Sequence, residues 1–235
     1  INYFKLQEKI STKTAAGGLQ KMMLKKEREV IFLLEKHLDE IKEWLKISSE
    51  ALSYYLSDDL EKINYLLLRK NEISTSLETE RREIWDRLCN GAYFPAIRGD
   101  LLGIVKSVGR IADAATLSCE TFLYLQPEIP LKIKNLATMV RMVFFLFRPL
   151  HESVLYYLRG DDVLKVIRKN VDAFLVKRAE VNTLASNLKN QIYSSDLDHW
   201  QKSHLNDCMQ SISTISSQAV ETNDQIQLIM VKIVS

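Results

Sequence analysis

The residues best equipped for chemistry in this 235-residue sequence are its carboxylates and its four histidines, His37, His151, His199 and His204. Acidic residues three or four apart on a helix share a face, and facing helices that carry such pairs can hold a metal cluster. The Glu-x-x-His pattern of di-metal bundles is missing, because no histidine here follows a Glu at that spacing. His37 and Glu40 stand in the reverse order and form a candidate ligand pair. His199 and His204 have the wrong spacing to share a face, and Glu221 with Asp224 has no histidine nearby and reads as a solvated surface. There is no glycine-rich phosphate loop, no Gly-x-Ser-x-Gly and no dinucleotide fingerprint. Cys89, Cys119 and Cys208 are far apart and odd in number, which implies neither a disulfide framework nor a Cys-x-x-Cys knuckle. A reducing compartment is therefore expected. Cys119 has no adjacent histidine to activate it. The chain reads as a binding protein and not an enzyme, with no cofactor.

Long helices must position these residues. Hydrophobic residues make up 46% and charged residues 26%, and only 7 Gly and 4 Pro leave little room for many short strands. The net charge of +2 is not a nucleic-acid footprint. Apolar residues recur with helical period from Glu29 to Leu56, from Ile63 to Leu88, and from about Asp100 to Phe122. Asp58 with Glu61 reads as a capping box, and Asn90-Gly91 followed by Pro95 reads as a helix end. The pattern resumes with a helix from about Pro130 to Leu158, a fifth after Asp161-Asp162, and a sixth capped by Ser195 with Asp198. Within the fourth, Leu136 to Phe147 is the most apolar run, but it is too short for a membrane span and carries Arg141. Apolar nearly all round, it belongs at the centre of a bundle or at a partner interface.

An internal duplication is visible. Residues 51–63 read ALSYYLSDDLEKI and residues 154–167 read VLYYLRGDDVLKVI, each between a first and a second long helix. The expected fold is all-α, an elongated helical bundle built from two three-helix repeats, 29–126 and 127–235, behind a basic N-terminal arm, 1–28. In that arm Lys5, Lys9, Lys13, Lys21, Lys25 and Lys26 could meet a partner or an anionic membrane surface. Gly17-Gly18 invites a bend.

Residues 72–116 resemble the PhoU-like family of phosphate-transport regulators. The resemblance rests on Phe94-Pro95 with Arg98-Gly99-Asp100 at the turn and on Gly109-Arg-Ile-Ala-Asp113 in the third helix. It implies six helices in two repeats and a non-enzymatic regulator or adaptor that pairs with a phosphate permease or an associated regulatory protein. The family's metal clusters use Glu/Asp-x-x-x-Asp pairs on facing helices. Carried over, those positions are Ser74 and Glu78, facing Gly109 and Asp113, and in the second repeat Arg178 and Asn182, facing Ser213 and Ser217. Half the carboxylates remain in the first set and none in the second, so no cluster is expected. Glu78 and Asp113 are the residual metal candidates, ahead of His37 and Glu40. Ion pairing with Arg81, Arg82 or Arg110 is the competing role. Asp100 suits a helix start, and Arg98 suits either loop fixing or phosphate contact there.

The expected localisation is cytoplasmic, peripheral at the inner membrane face, with a homodimer as a further partner state. The alternative is a structural helical scaffold or homo-oligomer that has lost the family's metal role.

Overall fold

In a computed structural model the described residues are 25–57, 59–90, 97–125, 127, 135–159 and 163–234. They form an all-α bundle, with no strand among the described residues. The helices are α1 (Lys25–Tyr55), α2 (Leu60–Asn90), α3 (Arg98–Leu125), α4 (Asn135–Phe145), α5 (Phe147–Arg159), α6 (Val163–Tyr193) and α7 (His199–Val234). At 1.5 Å rise per residue, the 31 residues of α1 span about 46 Å. No helix among the described residues is long and apolar enough to cross a membrane.

Among the described residues the fourth expected helix is broken in two at Leu146, so seven helices stand there where six are expected. Pro149 is the cause. It has no N–H to give the Phe145 carbonyl, and its ring crowds that carbonyl. The Leu146 N–H turns back to the Val143 carbonyl at 3.1 Å, a tightened turn that reorients the chain into α5. The apolar run ends up inside: Leu136, Met139, Val140, Val143, Leu146 and Phe147 are buried, while Phe145 faces out.

Two caps are displaced from their expected positions. Asp59 caps α2, accepting the Lys62 N–H on its side chain (3.4 Å) and the Ile63 N–H on its carbonyl (3.2 Å). Asp58 lies outside the described residues, as do Asp161-Asp162, Phe94-Pro95, and residues 1–24 with Lys5, Lys9, Lys13 and Lys21. Asp198, not Ser195, caps α7, accepting the Gln201 N–H at 2.8 Å. The Ser195 hydroxyl instead closes the end of α6 on the Ile192 carbonyl at 2.7 Å. Lys25 and Lys26 are the first two residues of α1.

The bundle closes around one large core to which α1 and α3–α7 contribute Trp44, Phe122, Val143, Val154, Phe174 and Ile212. A smaller cluster of Val30, Leu34, Ile84, Leu88, Leu101 and Val105 seals one end. Trp44 is 1% exposed and donates its indole N–H to the Ala112 carbonyl at 3.3 Å, which pins α1 to α3. Helices α3 and α7 run antiparallel at the centre, tied by Ser211 to Ser118 (3.3 Å) and by Arg110 to Glu221 (2.7 Å). By contrast, α2 packs mainly on α1 and touches α3 lightly. This open seam between α2 and α3 carries the candidate site.

Candidate functional site

A small cleft of about 50 Å³ lies where α1, α2 and α3 meet, lined by His37, Ser74, Glu78, Arg81, Gly109 and Asp113 among others. All four first-repeat positions carried over from the resemblance, Ser74, Glu78, Gly109 and Asp113, therefore come together. Helical period explains it: Ser74 and Glu78 are one turn apart on α2, as are Gly109 and Asp113 on α3.

The charge in the cleft is arranged around Arg81. Its guanidinium pairs with Glu78 one turn earlier and reaches across the seam to Asp113 Oδ2 at 3.4 Å. Arg82 Nε donates to the other Glu78 oxygen at 2.9 Å. Partial burial works to raise the Glu78 pKa, but the Arg82 hydrogen bond and the Arg81 charge outweigh it and hold this carboxyl below its usual range. Arg110, the other expected partner, turns away to Glu221. Gly109 is buried against Arg81: a Cβ there would stand 3.2 Å from Nη1 and 3.5 Å from Cδ.

The second candidate pair is not brought together as a ligand set. His37 Nδ1 lies 3.3 Å from Glu80 Oε2, while Glu40 accepts from Ser76 at 2.9 Å and faces Lys36 at 3.4 Å. Burial lowers the His37 pKa to about 4, so its imidazole is neutral near pH 7. Burial raises Glu80, against a hydrogen bond from Lys36 Nζ 2.5 Å away. His37 Nε2 and Ser74 Oγ are buried with no partner among the described residues. Glu80 carries no signal in the sequence, since its partner is 43 residues away on another helix.

Asp100 lies buried in the first turn of α3 and pairs with Lys232 near the end of α7. Burial and the Asp100 charge together raise the pKa of the Tyr157 hydroxyl. Arg98 is the first residue of α3. The second-repeat positions do not form a charged cluster: Ser213 and Ser217 bond back to the Met209 and Ser213 carbonyls of their own helix. Among the described residues no group of three or more His, Cys, Asp or Glu side chains is arranged to hold a metal ion.

A UPF0111 protein of Thermotoga maritima is 27% identical over 210 residues, covering 88% of this chain and 96% of the relative. One from Pyrococcus horikoshii is 25% identical over 219 residues, covering 88% and 97%. The chain is homologous to the UPF0111 proteins. No protein-family model matches it. A PhoU-like protein from Shewanella oneidensis MR-1 superposes on this homologue with a TM-score of 0.77 at 15% identity, over 86% of this chain and 99% of that one. A PhoU-like phosphate regulatory protein from the same organism gives 0.77 at 14% identity, over 86% and 99%. At those identities the likeness establishes a PhoU-like fold. Homology and fold thus agree with the resemblance carried by the turn and the third helix.

Proposed function

We propose that this protein is a non-enzymatic regulator or adaptor of phosphate transport, acting through helix-face contacts with a phosphate permease or its regulatory partner at the cytoplasmic membrane face. The observation that carries the reading is the fold shared over nearly the whole of a PhoU-like phosphate regulatory protein. The chemistry of the chain supports it. Cys119 and Cys208 are buried with thiol pKa values raised by burial to about 11 and about 12, the reverse of what a nucleophile needs.

The reading includes a duplication, with α1–α3 as one repeat (29–126) and α4–α7 as the other (127–235). Pro149 splits the first helix of the second unit. Tyr54-Tyr55 and Tyr156-Tyr157 then close equivalent helices, and α3 and α7, the third helices, pair at the centre. Asp100 acts as a fixing residue for the start of α3, with Arg98 beside it. A buried carboxylate at that helix end disfavours phosphate there, so direct phosphate contact by Arg98 is the lesser role. Lys5, Lys9, Lys13, Lys21, Lys25 and Lys26 supply attraction to anionic lipid, worth up to about 1 kcal/mol each near the surface and weakened by salt.

Co-sedimentation with anionic liposomes, with and without a reconstituted phosphate permease, tests this for the full chain and for a version starting at Glu27. Salt-sensitive binding that the permease strengthens and the deletion weakens is the expected result. Equal behaviour of both versions with no permease-dependent recruitment favours a helical scaffold or homo-oligomer.

A further inference from the structure

We infer that the guanidinium of Arg81 is the resident cation of the α1–α2–α3 cleft, standing where a carboxylate cluster would otherwise need a metal ion. Four observations converge on Arg81. It pairs with Glu78 on its own helix and with Asp113 across the seam, so one positive charge bridges two carboxylates on facing helices. Gly109 leaves it the room. A side chain at 109 would begin 3.2 Å from Nη1, so an acidic residue there would require the end of Arg81 to give way by a few tenths of an ångström.

Ser74 brings an uncharged hydroxyl to the position one turn before Glu78. The residues present therefore do not fit a multinuclear cluster: two carboxylates face an arginine, and no three ligands converge among the described residues. Finally, the backbones of α2 and α3 approach closely at few points, and the seam is bridged by ion pairs, Arg81 to Asp113 and Lys70 to Glu120 at 2.5 Å. Without Arg81, Glu78 and Asp113 would repel each other across it. The bundle thereby holds α2 on α3 without metal. This inference does not depend on the regulatory reading.

The test uses the full chain, freed of metal by chelator, with manganese chloride as the probe. Arg81 is about one-third exposed, so Arg81→Met leaves a folded protein. The wild-type thermal midpoint should be the same in chelator and in millimolar manganese. Arg81→Met should lower the midpoint by about 2–4 °C, the scale of a lost ion-pair network in a chain of this size. Manganese should recover part of that loss where an equal ionic strength of sodium chloride does not. In an E78Q/D113N background, Arg81→Met should cost almost nothing.

Three results would each overturn the inference. The wild type could take up about one manganese ion per chain at a site abolished by E78Q/D113N. The Arg81→Met loss could be absent or indifferent to manganese, or it could persist undiminished in the E78Q/D113N background, which would make Arg81 a packing residue.

Discussion

Acidification should unfold this bundle partly through one imidazole. His37 is 2% exposed on α1, and burial lowers its pKa from 6.5 to about 4, with a smaller upward pull from Glu40 and a downward one from Arg81. In the unfolded chain the same group binds its proton near pH 6.5. The folded-state value is the depressed one, so the stabilisation is whole above about pH 6.5 and is lost as pH falls toward about 4. A gap of about 2.5 pH units, at about 1.4 kcal/mol per unit, amounts to about 3 kcal/mol. Glu80 works in the opposite sense. Its pKa is raised, chiefly by burial, so its contribution is present below the ordinary carboxylate range and lost as pH rises through the folded value. Substituting His37→Asn isolates the imidazole, because Asn keeps a donor toward Glu80 and does not titrate. Urea unfolding followed by helical circular dichroism, between about pH 7 and about pH 4, should show the wild type losing about 3 kcal/mol more than His37→Asn. Parallel profiles for the two proteins would refute the reasoning, whatever their offset.

Asp59→Ala and Asp198→Ala should each lower stability by about 1 kcal/mol in the same urea assay, because each leaves a first-turn N–H without its acceptor; Ser195→Ala should cost less. Trp44→Ala should cost about 3–5 kcal/mol, through the cavity in the core and the lost indole hydrogen bond to Ala112, whereas Trp44→Phe should retain most of the packing. A thiol reagent at mildly alkaline pH should label only the exposed Cys89 in the folded protein, and Cys119 and Cys208 only after denaturation. Fast labelling of all three in the native state would contradict their burial.

Helical periodicity made the bundle legible in the sequence, because an apolar stripe needs no knowledge of what covers it. Helix ends were less so. Asp58 and Asp59 are adjacent and equally able to cap, and only the backbone path selects between them. The break at Leu146 did have a signal, Pro149 four residues beyond Phe145, but the strong apolar run on either side outweighs it in a pattern reading. The cleft was half legible. Placing Ser74, Glu78, Gly109 and Asp113 together needed a family resemblance, and the choice of Arg81 over Arg110 as Asp113's partner depends on how α2 and α3 are rotated. His37 was read with Glu40, its neighbour on the helix, while its actual partner is Glu80 across the α1–α2 interface.

Phosphate uptake into proteoliposomes that contain a phosphate permease, measured with and without this protein on the face corresponding to the cytoplasm, tests the central claim most directly. The account predicts that stoichiometric protein changes the uptake rate, and that the version starting at Glu27 does so less at physiological salt. An uptake rate unaltered by saturating protein, with no binding to the permease-containing vesicles, would contradict it.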